Sequence, residues 1–145
     1  MSVIRMPIQL RWGDQDAYGH INNVAILRIL EEARARAFWR TAEDPAEAGI
    51  FPPLEPSQQT WALVADFQLR YRGQLPYQRD PVTVELGISQ VGGASFVIDY
   101  ALFADENDDA AQVTAQSTLV MVDRDTGAPQ RLSPELRQRL RQYSS

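Results

Sequence analysis

Cysteine is absent from this 145-residue chain, lysine is absent as well, and histidine occurs once. Without cysteine there is no disulfide, no thiolate metal site and no thiol nucleophile. All 14 cationic side chains are arginine, which removes lysine Schiff bases and the P-loop lysine from consideration. No apolar run approaches the roughly 20 residues that cross a bilayer, and the N-terminus lacks a signal-peptide layout. Together these absences predict a cytoplasmic protein. A net charge of −5 and a pI near 4.8 leave no basic surface for nucleic-acid phosphates. The length fits one domain spanning residues 1–145, able to bury about 70% of its unfolded surface.

What is present concentrates near the start. Asp14-Gln15-Asp16-Ala17-Tyr18-Gly19-His20-Ile21-Asn22-Asn23 packs two carboxylates, the only histidine and two adjacent asparagines into one short segment. Asparagine is among the best helix caps, so the spacing predicts a helix from Asn22 or Asn23 to about Arg40. Thr41-Ala42-Glu43-Asp44-Pro45 stops it. Ile26, Ile29, Leu30, Ala33 and Ala37 fall on one face, with Arg28, Glu32 and Arg36 opposite at ion-pairing spacing. The alanines permit close approach to a sheet. The amides opening such a helix offer partial positive charge to a carbonyl or an anion.

The remainder reads as strands. Residues 3–12 alternate loosely and make a first strand, and four prolines mark Glu43 to Thr60 as loop. Trp61, Leu63, Ala65, Phe67, Leu69 and Tyr71 then alternate with Asp66, Gln68, Arg70 and Arg72 over one long strand. Val82, Val84, Leu86 and Ile88 share a face of the next, and Gly92-Gly93 signals a hairpin. Phe96, Ile98, Tyr100 and Leu102 follow, then the acidic loop 105–109 and a strand near 111–123. Ser133-Pro134-Glu135 opens a short helix carrying Leu136, Leu140 and Tyr143. This order predicts an α+β domain with one long helix laid across a meander-like sheet.

The Asp-x-Asp-x-x-x-His-x-Asn-Asn run, followed by Leu30-Glu31-Glu32-Ala33-Arg34, resembles the acyl-CoA thioesterases of the hotdog fold. It is most similar to the branch of the 4-hydroxybenzoyl-CoA and long-chain acyl-CoA thioesterases. The plant acyl-ACP thioesterases share the His-x-Asn-Asn segment. A second match is Phe67-Gln68-Leu69-Arg70-Tyr71-Arg72-Gly73-Gln74-Leu75-Pro76-Tyr77, a Tyr-Arg strand end with a proline turn. The resemblance covers nearly the whole chain in element order. It implies an antiparallel sheet wrapped around a central helix, and a homodimer or dimer of dimers with active sites at the subunit interface. Neither a cofactor nor a metal is expected. In the benzoyl-CoA branch the second carboxylate of the loop acts on the thioester, and it aligns with Asp16. The amide that polarises the carbonyl aligns with Asn23. The plant enzymes place an asparagine where this chain has Tyr18, so their mechanism does not carry over; tyrosine occurs there in long-chain acyl-CoA thioesterases.

A thioester suits so sparse a set of residues. Its leaving thiol has a pKa near cysteine's, about 8.5, and departs with little acid assistance. The reaction then needs an oxyanion site and a route for water. Asp16 serves either as general base, with His20 beside the water, or as nucleophile through a mixed anhydride; the base role suits aliphatic acyl groups. The expected catalytic residues are therefore Asp16, His20 and Asn23. Tyr18 and Asn22 are expected at the substrate, and Arg70, Arg72 and Arg79 at coenzyme A phosphates, which suit guanidinium forks. Simpler roles stand beside these. Asp14 braces the loop, His20 bonds a neighbouring backbone group, Asn22 caps the helix, Glu31 and Glu32 are solvated or paired, and the arginines line an exposed strand face. Trp39, Phe51 and Trp61 are either core or walls of an acyl tunnel. The competing function is a non-catalytic acyl-CoA-binding or sensing module. Hotdog dehydratases need a histidine base and paired acid on a differently spaced loop, which this chain lacks. Coenzyme A and carrier protein stand as alternative acyl carriers.

Overall fold

The computed structural model of the protein describes residues 3–38 and 59–144. In chain order these form β1 (Ile4–Ile8), a 3-10 turn (Trp12–Asp14), α1 (Asn23–Phe38), β2 (Thr60–Tyr71), β3 (Val82–Val91), β4 (Ser95–Phe103), β5 (Val113–Asp123) and α2 (Pro134–Arg141). The five strands make one antiparallel sheet in the order β1-β3-β4-β5-β2. This is the hotdog arrangement. The expected end of the long helix at Arg40, the aromatics Trp39 and Phe51, and the proline-rich stretch before residue 59 lie outside the described residues.

The helix forms where the cap and the periodicity place it. Ala25, Ile26, Ile29, Leu30, Ala33 and Ala37 are buried, and α1 lies nearest β1 and β3. Burying each leucine or isoleucine contributes about 1.5–3 kcal/mol, and the small alanines between them let helix and sheet approach closely. Beneath α1, Val82, Val84, Leu86 and Ile88 of β3 and Phe96, Ile98, Tyr100 and Leu102 of β4 fill the core, as their alternation requires. The Gly92-Gly93 hairpin closes with the Gly92 amide donating to the Ser95 carbonyl at 2.7 Å.

The sheet departs from the expected meander in one respect. β3, β4 and β5 are successive neighbours, but β2 pairs with β5 at the far edge instead of with β3. Residues 72–81 are long enough to carry the chain across the sheet, and the three-residue link 92–94 keeps β3 and β4 adjacent.

The single apolar face expected for β2 is also corrected. Val64 pairs with Leu119 and Asp66 with Thr118, so Ala65 is an extra residue in a bulge. One inserted residue reverses the alternation. Phe67 and Leu69 face inward, the Phe67 ring lying 5.5 Å from that of Tyr100, while Trp61 and Leu63 face outward. Trp61 is 38% exposed and lies outside the buried core.

Two ends move as well. The first strand stops at Ile8 because the chain turns at Trp12–Asp14, leaving Trp12 78% exposed. The fifth starts at Val113, since Gln112 gives its carbonyl to the Arg72 and Gly73 amides at the close of β2. The terminal helix matches its signature. Ser133 Oγ accepts the Leu136 amide at 3.1 Å, Leu136 and Leu140 are buried, and the Tyr143 carbonyl accepts the Ile88 amide at 2.9 Å.

Candidate active site

The segment from Asp14 to Asn23 folds as a narrow turn feeding directly into α1. The Asp16 amide donates to the His20 carbonyl at 2.7 Å, and the Gly19 amide to the Asp16 carbonyl at 3.2 Å. Gly19 holds φ at +78°, a left-handed value that a residue with a Cβ rarely adopts. Inside the turn, Asp16 Oδ1 accepts the Tyr18 amide at 2.8 Å and the His20 amide at 3.1 Å. The carboxylate is therefore fixed through one oxygen, while Oδ2 takes neither bond.

A second segment clamps the turn from outside. The Ile21 amide donates to the Leu75 carbonyl at 2.8 Å, and the Tyr77 amide to the Gly19 carbonyl at 3.1 Å. The proline turn after β2 thus serves as the docking surface for the first motif. The two segments singled out in the sequence meet.

Asp14 is buried and braces the base of the loop. Its Oδ2 accepts the Arg11 amide at 2.8 Å, and its carbonyl accepts the Asn22 amide at 3.0 Å. Asn22 is the cap: its Oδ1 accepts the Ala25 amide at 2.8 Å and its carbonyl the Ile26 amide at 3.0 Å. Only its Nδ2 stays available for another partner. Among the described residues the amides of Asn23 and Val24 have no acceptor and stay open, as the geometry of a first helical turn dictates. They form the positive end of α1.

Around these open amides the single chain is exposed. The Asp16 and Asn23 side chains are accessible, Tyr18 is 85% exposed, and His20 is half-buried. The imidazole makes no hydrogen bond among the described residues; only the backbone of His20 is engaged. The Glu31 and Glu32 carboxylates are paired along the helix, to Arg34 at 3.9 Å and Arg36 at 3.4 Å.

Two clefts flank this region. One, of about 500 Å³, opens on the outer face of the sheet and gathers Gln68, Arg70, Arg72, Asp99, Thr114 and Gln116. Arg72 Nε donates to Thr114 Oγ1 at 3.3 Å, and Arg70 has no partner among the described residues. Arg79 is not part of it. It lies in the connection before β3, where its carbonyl accepts Gln9 Nε2 at 2.7 Å. The other cleft, about 400 Å³, runs along α1 beside Arg11, Asp14, Arg28, Glu32 and Arg36, where opposite charges interleave.

Sequence reading missed two polar groups in the sheet. Arg34, with its side chain 11% exposed, donates through Nη1 to Tyr100 Oη at 3.3 Å, and Tyr100 Oη lies 2.6 Å from Ser117 Oγ. The isolated serine in the inward alternation of β5 was the available signal. Asp99 is the second: its Oδ1 is buried and without a hydrogen-bond partner among the described residues. Asp123, by contrast, is held below the ordinary carboxylate range by Gln59 and the amides of Thr126 and Asp125. It sits at the opposite end of β2 from the clamped loop. Among the described residues no group of three or more histidine or carboxylate side chains is placed to hold a metal, and no helix is long and apolar enough to cross a membrane.

The family model described as Thioesterase-like superfamily matches residues 10–140. A Pseudomonas aeruginosa protein of known structure is 24% identical, with a TM-score of 0.79, over 98% of this chain and 92% of its own. A predicted thioesterase from Bacillus stearothermophilus is 22% identical, with a TM-score of 0.78, over 99% and 98%. A Thermus thermophilus thioesterase complexed with coenzyme A and Zn is 21% identical, with a TM-score of 0.69, over 96% and 92%. No curated protein matches the sequence at a comparable significance.

Proposed function

The chain belongs to the thioesterase-like superfamily and is a thioester hydrolase, and on that premise we propose that it cleaves acyl-CoA to the free acid and coenzyme A. One observation carries the mechanism. A carboxylate pinned by two amides stands in the turn that delivers the chain to the open amides of α1. In this reading the thioester carbonyl oxygen accepts the Asn23 amide, where the negative charge of the tetrahedral intermediate develops. Asp16 Oδ2 accepts a proton from water as that water attacks the carbonyl carbon. The intermediate collapses by breaking the carbon–sulfur bond, and Asp16 returns the proton to the departing thiolate. The His20 imidazole orients the same water. Tyr18 and Asn22 Nδ2 contact the substrate, and Arg70 and Arg72 hold phosphate. Arg79, outside their cleft, has no part in this reading.

A second copy of the chain completes the site. Catalytic hydrogen bonds gain strength when water is excluded, yet Asp16, Tyr18 and Asn23 are open to solvent in one chain. β2 is a 12-residue edge strand with Leu63, Val64 and Tyr71 exposed, and an edge of that length invites another strand. Pairing along it supports a homodimer, or a dimer of dimers, that covers the loop. The coenzyme A bound by the Thermus relative supports the choice of carrier.

Thiol release from a panel of short, long and aromatic acyl-CoAs tests the activity. Turnover of at least one class is expected. A folded dimer that binds acyl-CoA tightly yet releases no thiol would favour the sensing module instead.

A further inference from the structure

The cleft of about 400 Å³ along α1 carries three guanidinium groups, Arg11, Arg28 and Arg36, and three carboxylates, Asp14, Glu31 and Glu32. Their pairing leaves one cation over. Asp14 takes Arg11 at 3.4 Å and Glu32 takes Arg36 at 3.4 Å, while Glu31 turns to Arg34, outside the cleft, at 3.9 Å. Arg28 makes no hydrogen bond or ion pair among the described residues, although Glu31 and Glu32 stand three and four positions further along the helix. The group is within reach of a ligand: Arg28 is exposed, and the Arg11 side chain is 74% exposed. Between the charged walls, Ile8, Ala25 and Ile29 make a narrow apolar floor.

These features select the ligand. The unpaired group is a guanidinium, so the ligand carries an anion, and the planar fork donates to both oxygens of a carboxylate. A dianion such as a phosphate monoester is disfavoured by the three carboxylates in the same walls. The volume lies at the small end of ordinary ligand clefts. We propose that this cleft binds a small carboxylic acid, the class of product that thioester hydrolysis releases, and that its occupancy slows turnover. The acid accepts from Arg28 and competes with Asp14 for Arg11. Asp14 is the brace of the loop, and its carbonyl accepts the amide of Asn22, directly before Asn23. Ala25 and Arg28 belong to the first two turns of α1. An occupied cleft therefore bears on the brace and on the open amides without contacting the thioester. β1, which supplies Ile8, is the sheet edge opposite β2, so pairing along β2 leaves the cleft open. The assignment rests on the hydrolytic reading, since hydrolysis supplies the acid at every turnover.

Hexanoate is the probe, with hexanol and hexyl phosphate as controls, in thiol-release kinetics and in calorimetric titration of the wild type and Arg28→Ala. Hexanoate is expected to lower kcat with KM unchanged, hexanol to have no effect, and hexyl phosphate to bind more weakly than hexanoate. Arg28→Ala should keep the basal kcat and weaken both hexanoate inhibition and binding about fivefold, the modest value of an ion pair open to water. Inhibition that only raises KM, or that is the same in Arg28→Ala, overturns the cleft assignment and leaves hydrolysis standing. Arg28-dependent hexanoate binding in a protein that releases no thiol keeps the carboxylate site and removes both the hydrolytic reading and the product role.

Discussion

Asp16→Ala is expected to lower kcat/KM about 1,000-fold on the best acyl-CoA substrate, the usual range for losing a general base. The carboxylate also has a local duty, since its Oδ1 accepts the Tyr18 and His20 amides. Alanine therefore removes the base and loosens the turn together. Asp16→Asn separates the two. Its carbonyl oxygen can still accept both amides, so the turn should persist, but an amide takes no proton from water. The account predicts a comparable loss in both variants, with unfolding transitions near that of the wild type. Thiol-release kinetics beside thermal denaturation measure this. An Asp16→Asn protein within tenfold of wild-type activity would remove Asp16 from the chemistry.

Asn23→Pro is expected to lower kcat about 100- to 1,000-fold, the typical cost of one oxyanion donor. Asn23 is the first residue of α1, the single helical position where proline is welcome, because the amide there has no intrahelical partner. The capping bonds are made by the amides of Ala25 and Ile26, which this substitution leaves in place. Proline also restricts the preceding residue to extended backbone, which a cap residue adopts in any case. Beyond the side chain, only the donor is lost. Asn23→Ala supplies the control, because it deletes the side chain and retains the amide; activity near wild type is expected. Equal losses in the two variants would place the effect in the side chain and contradict the oxyanion role.

The parts of this structure legible in the sequence are those written in local code. The Asn22 cap, the Ile26-to-Ala37 stripe, the alternations of β3 and β4 and the Ser133-Pro134 helix start each follow from short-range sterics and burial. What escaped depends on partners distant in the chain. The place of β2 at the far edge is decided by which strand it pairs with, and its composition is equally suited to either neighbour. The bulge at Ala65 leaves no mark, because apolar residues occupy both phases around it and the alternation reads equally well without an insertion. Asp99 escaped for a related reason: an acidic residue on the outward phase of a strand is ordinary until its neighbours prove to be Gly87 and an unbonded Gln116. Within the loop, the residue types announced a site, whereas the division of labour needed coordinates. Asp14 and Asp16 look alike in sequence, and only the structure shows one buried as a brace and the other held in the turn with an oxygen to spare.

The most direct measurement is a structure of the assembled protein bound to a ketone analogue of acyl-CoA, in which a methylene replaces the sulfur. The carbonyl oxygen should lie about 3 Å from the Asn23 amide, with Asp16 Oδ2 reaching the carbonyl carbon through a single water. A carbonyl bound away from the start of α1, or an Asp16 still facing bulk solvent beside the occupied site, would contradict the mechanism.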